Sequence, residues 1–176
     1  MSEERRASTV NVMQPTFYDL PQSRAIGVRG VVSSSFSPDA ADSTVEIEKL
    51  WIALFTALGT TPGSPEWTFV GITSPADDLV PPHFITYAAA VLVDDAFSKE
   101  TGLEEFSIGA GTYAVFLYEG THEGLDAFYQ QVYNVELDQH GLSTRDGEHL
   151  ERYPTSNDSA LFVAEAWIPV STPSGS

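Results

Sequence analysis

Glu165 stands inside Phe162-Val163-Ala164-Glu165-Ala166-Trp167-Ile168, with apolar residues on both sides. In an extended chain, Val163, Glu165 and Trp167 share one face and Phe162, Ala164, Ala166 and Ile168 the other. A carboxylate on a covered face is costly unless a cation or hydrogen-bond donor meets it. One side of an antiparallel sheet can also face water, so the residues leave both settings open. Upstream, Glu151 in Leu150-Glu151-Arg152-Tyr153 shares a face with Tyr153. A hairpin joining the two segments would carry Glu151 and Glu165 towards one region. Two carboxylates among Trp167 and Tyr153 would form an anionic hollow walled by rings. Ring faces attract cations by ~0.5–2 kcal/mol each, and a carboxylate in a dry setting adds charge attraction. The plain alternative for Glu151 is a surface residue paired with Arg152.

Other aromatic residues bear on the same hollow. Tyr113 and Tyr118 lie on opposite faces of a regular strand, so only one is expected to line a cleft. Tyr87 sits on the strand that corresponds to the last one and is expected to mirror the Glu165 region. Trp51 and Tyr133 fall on helical stripes, where core packing is the ordinary role. The histidines His83, His122, His140 and His149 show no HxxxH or HxH spacing, so no metal site is expected. Gly109-Ala110-Gly111 precedes a strand and does not open a helix, unlike a phosphate loop. Ser33, Ser34 and Ser35 lack a nucleophile elbow, and no nucleophile–base pair can be argued. The chain has no cysteine, which excludes disulfides, thiol catalysis and cysteine-held metal centres. No cofactor is expected.

The elements that must position these residues follow from periodicity. Arg24 to Val32 reads as a strand, followed by a Ser-rich loop with Pro38. Ile47, Leu50, Trp51, Leu54, Phe55 and Leu58 make one apolar helical stripe. Ser43 and Glu46 fit a capping box ahead of it, and Gly59 stops it. Strands follow at Thr68–Ile72 and His83–Val93, with an acidic turn around Pro75, Asp77 and Asp78 between them. The second half has strands at Glu105–Ile108 and Thr112–Tyr118. Thr121, with Glu123 in the first turn, caps a helix whose stripe is Leu125, Phe128, Tyr129, Val132 and Tyr133. His149–Tyr153 and Leu161–Ile168 are the last strands, separated by Pro154 and the turn at Ser156–Ser159. Each half is thus strand, helix, strand, strand. The expected fold is α+β: pseudo-twofold duplicated β-α-β-β units, an antiparallel sheet with helices on one side, and a central ligand cleft. One domain spans residues 16–170, with halves at about 16–95 and 103–170. Residues 1–15 are expected to be flexible and 171–176 disordered.

Composition narrows the partners. At 176 residues and 42% apolar, the chain can bury a core without staples. Its formal net charge of −17 disfavours nucleic acid and anionic lipid, and suits cationic ligands or simply solubility in salt. No apolar run is long enough to span a membrane and the start is not a signal peptide, so the cytoplasm is expected.

Gly111-Thr112-Tyr113 to Tyr133, then His140-Gly141-Leu142, Leu150-Glu151-Arg152-Tyr153-Pro154 and Ala164-Glu165-Ala166-Trp167-Ile168-Pro169-Val170, resembles the GyrI-like small-molecule-binding domain, the AraC-type bacterial effector-binding family. The resemblance covers about 103–170 well and the first half in layout. One departure is Val135 to Gly141, where many members carry a Trp. The resemblance implies a ligand cleft between two β-α-β-β units. It implies ligand-binding roles for Glu151, Tyr153, Glu165, Trp167, Tyr113 and Tyr118, to which the layout adds Tyr87 and Trp51. The leading expectation is a stand-alone binder of an amphipathic or cationic aromatic molecule, a sensor or sequestering protein in transcription or multidrug response. A hydrolase using Glu151 or Glu165 as general base, and a gyrase-inhibitor-like interaction protein with an unknown protein partner, are the alternatives. No direct nucleic-acid or membrane binding is expected.

Overall fold

The computed structural model describes residues 14–33, 40–61, 64, 66–74, 84–97, 101–121, 124–153 and 162–171. The expectations for residues 1–13 and 172–176, the Pro38 loop, the Pro75 and Ser156–Ser159 turns, His83, Glu123 and Leu161 lie outside these residues.

The strands are β1 (Thr16–Leu20), β2 (Ser23–Ser33), β3 (Thr68–Ser74), β4 (Phe84–Val93), β5 (Glu104–Ile108), β6 (Gly111–Gly120), β7 (His149–Arg152) and β8 (Phe162–Pro169). Helix α1 (Ala40–Leu58) lies between β2 and β3. Helix α2 (Leu125–Gln131) follows β6 and runs on through a π-helical turn, Val132–Glu136, into α3 (Leu137–Gln139). All eight strands form one sheet in the order β1-β6-β8-β7-β3-β4-β2-β5, and every pairing is antiparallel. Exchanging the two halves leaves this order unchanged, with the exchange axis between β7 and β3. The halves also trade edges: β1 pairs with β6, and β5 pairs with β2.

Three expectations are corrected. Helix α1 begins by Ala40, so Ser43 lies inside its first turns and not at a cap; Ala40 and Ala41, strong helix formers, carry it further back. Strand β1 was not expected. Thr16–Leu20 is short, with Phe17 and Tyr18 half exposed, and its pairing to β6 rather than its own pattern makes it a strand. The expected stop holds: Gly59 takes a φ of +64° at the end of α1. The expected cap ahead of α2 is shifted: its N-cap is Gly124, whose amide donates to the Thr121 hydroxyl at 3.3 Å.

Both helices pack on the same face of the sheet. Ile47, Leu50, Trp51 and Leu54 of α1 cover Ile26, Tyr87, Ala89 and Val91 of β2 and β4. Phe128 and Val132 cover Ala114, Phe116, Ala166 and Ile168 of β6 and β8. The opposite face curls into a core of its own, from Ala25, Val70, Ile72, Ala88, Ala90, Ile108, Tyr113, Val115, Leu150 and Trp167. No helix among the described residues is long and apolar enough to cross a membrane.

Candidate functional site

With α1 over β2 and β4 and α2 over β6 and β8, the central strands β3 and β7 floor a trough between the helices. Alternation aims Phe69, Gly71 and Thr73 of β3, and His149 and Glu151 of β7, into it. Gly71 and Glu151 are directly paired across the seam. Glu151 is half-buried, and the Tyr129 hydroxyl from α2 donates to its Oε2. Tyr133 stacks on Tyr129 with centroids 6.2 Å apart, and its hydroxyl meets His149 Nδ1 at 2.7 Å. From the other side, Trp51 of α1 donates its indole N–H to the Tyr87 hydroxyl at 3.1 Å. Tyr153, just past β7, meets Trp51 edge-on at 5.5 Å.

The electrostatics follow from burial beside one charge. Burial first, and the Glu151 charge second, push the phenols of Tyr87, Tyr129 and Tyr133 above their ordinary value. Burial, with Arg145 adding to it, lowers the His149 imidazole. The tyrosines therefore stay neutral donors and His149 favours its neutral form. A carboxylate held by a phenol and ringed by aromatic faces can attract a cation that sheds little water on entering.

The structure brings Glu151, Tyr153, Tyr87 and Trp51 together and places the other expected residues apart. Glu151 and Glu165 lie on opposite faces, because β7 and β8 pair Glu151 with Ala166 and Arg152 with Glu165. The expected convergence of the two carboxylates is thus corrected by register. Tyr87 does not mirror Glu165; it faces the trough. Glu165 accepts the Trp167 indole N–H at 3.2 Å on the helix-free face. Trp167 lies between the Tyr18 ring at 5.2 Å and the Arg152 guanidinium at 5.0 Å. Tyr113, on that same face, is fully buried under Arg145. Tyr118 faces the helices but packs on Phe128 at 5.1 Å, and its hydroxyl donates to the Thr121 carbonyl.

Three trough residues were not singled out as site residues from the sequence: Tyr129, Tyr133 and His149. Tyr129 and Tyr133 are four apart on the α2 stripe, where hydroxyl-bearing rings stand beside Phe128 and Val132. Polar tips on an apolar stripe are the signal that was available. His149 is two residues before Glu151 and shares its face by alternation.

Residues 13–171 match the profile of the GyrI-like small molecule binding domain, and the chain belongs to that family. Among solved structures it is similar to SAV2435 bound to tetraphenylphosphonium, at 17% identity over 90% of this chain and 94% of that one, TM-score 0.61. It is similar to EcmrR in a DNA complex, at 13% identity over 98% of this chain and 62% of that one, TM-score 0.63. A hydrolase encoded by lin2189 from Listeria innocua is similar at 11% identity over 97% and 98% of the two chains, TM-score 0.50. At these identities the likeness shows a shared fold. No curated protein matches the sequence.

Proposed function

We propose that the chain binds an amphipathic or cationic aromatic molecule in the trough between α1 and α2. Glu151 is the counter-charge, and Trp51, Tyr87, Tyr129, Tyr133 and Tyr153 are the walls. The carrying observation is the half-buried Glu151 carboxylate, held by Tyr129 and facing rings from both halves of the molecule. Two similar structures support this reading. SAV2435 is bound to a lipophilic cation, and EcmrR stands in a DNA complex. The role is that of a sensor or sequestering protein in a transcription or drug response. Glu165, Trp167 and Tyr113 belong to a separate constellation and would contact a ligand only at the helix-free face.

The hydrolase alternative would use the same carboxylate to activate water. The part-buried carboxylate set among ring faces suits holding a cation, which favours binding over turnover. The test is a titration with tetraphenylphosphonium followed by tryptophan fluorescence. Glu151→Gln is expected to weaken binding about tenfold, the ~1.4 kcal/mol of one partly screened charge pair. Equal affinity in the variant would remove Glu151 from the site.

A further inference from the structure

Gly71 and Glu151 face each other at the seam where the two halves meet, yet one carries a carboxylate and the other no side chain. The vacancy is filled from β4. A Cβ built on Gly71 would lie 2.3 Å from the Tyr87 hydroxyl oxygen, so that hydroxyl occupies the place of the missing side chain. Paired residues on antiparallel strands hold their Cβ atoms about 4.5–5.5 Å apart, so the Tyr87 hydroxyl and the base of Glu151 are near neighbours on the trough floor. The Trp51 indole N–H donates to the Tyr87 oxygen at 3.1 Å. An indole N–H can only donate, so Tyr87 is the acceptor in that bond and its own proton points elsewhere. Tyr87 is only 6% exposed, and no described residue accepts that proton. A buried hydroxyl proton without an acceptor is costly to leave unmet. Burial and the nearby Glu151 charge keep the phenol protonated.

We propose that the Tyr87 hydroxyl is a second recognition group, donating a hydrogen bond to an acceptor atom that the ligand carries beside its cationic centre. The favoured class is then a cation bearing an ether or carbonyl oxygen, over a purely hydrocarbon cation of the same shape. Trp51 sets the direction of the donor, and Gly71 leaves room for it. This rests on the reading of the trough as a cation site with Glu151 as counter-charge.

The test uses two cations that differ by one atom, n-butyltriphenylphosphonium and (2-methoxyethyl)triphenylphosphonium. Dissociation constants are measured by calorimetry for wild type, Tyr87→Phe, Gly71→Ala and Glu151→Gln. The ratio of the two constants isolates the oxygen. In wild type the ratio favours the ether, and Tyr87→Phe is expected to shift it towards butyl by about fivefold, one neutral hydrogen bond. Gly71→Ala keeps the phenol but displaces its hydroxyl, and is expected to shift the ratio the same way, so the result does not depend on one variant folding. Glu151→Gln should weaken both cations and leave the ratio alone. A ratio unmoved in both Tyr87→Phe and Gly71→Ala, while Glu151→Gln weakens both ligands, overturns the Tyr87 proposal alone. Failure of wild type to bind either cation overturns the site reading and this inference with it.

Discussion

The trough tyrosines report their surroundings through titration. Tyr87, Tyr129 and Tyr133 are held neutral by burial and by Glu151. Their phenolate absorbance should therefore be missing near the ordinary value and should appear together with alkaline unfolding. Each raised phenol contributes stability that is fully present below its unfolded value and is lost as pH rises past it. A titration in which all tyrosines ionise near pH 10 in the folded protein, a value typical of free phenol, contradicts this. His149 works at the acid end. Its folded value is lowered below the ordinary 6.5. The unfolded chain then takes up a proton that the folded site resists, so stability present above 6.5 declines as pH falls from there to the folded value. Melting temperature should drop over that window, and His149→Gln should flatten that part of the curve. At this scale the sequence showed part of the candidate site. Glu151 and Tyr153 were named from residue type and strand alternation. Tyr87 was named for mirroring Glu165, which it does not do, and the helical stripe gave Trp51 an ordinary core role. Tyr129 and Tyr133 were legible only as core, because an amphipathic stripe does not distinguish a ring packed on a sheet from one overhanging a seam.

Among the elements, β2 leaves no room beside β4 at Gly27. A Cβ on Gly27 would stand 2.1 Å from the Ala89 carbonyl oxygen, which is backbone and cannot swing aside. Gly27→Ala must then pry the two strands apart, at a cost of about 2–3 kcal/mol, readable as a lower urea midpoint. An unchanged midpoint would show that the strands are further apart than described. Both long strands were expected from the sequence, β6 from its β-branched and aromatic run, and both helices from their stripes. Strand β1 was not, since five residues between Pro15 and Pro21 carry no strong alternation. The π-helical turn after α2 has no residue signature either. It is a feature of the backbone alone, and Val132 and Glu136 within it are buried.

The whole molecule is governed by its charge and its symmetry. At a net charge of −17, the folded state is compact against its own repulsion. Added sodium chloride screens that repulsion, with a Debye length falling from about 30 Å at 0.01 M to about 10 Å at 0.1 M. The melting temperature should rise over that range, most steeply at low salt. A flat response would place the acidic groups in compensating local pairs such as Arg24–Glu105 and Arg29–Glu104. The pseudo-twofold arrangement sets the trough on the exchange axis, where neither half alone can close it.

Local pattern was enough for α1, α2, the two-halved layout and every strand but β1, because hydrophobic periodicity and turn residues act over a few neighbours. It also marked Glu151 and Glu165 as carboxylates in unusual company. Which of them meets the aromatic rings between the helices was decided by the pairing of Glu151 with Ala166. In a β-ladder a shift of one residue turns every side chain to the other face. That choice depends on how eight strands fit together, and no stretch of neighbouring residues contains it.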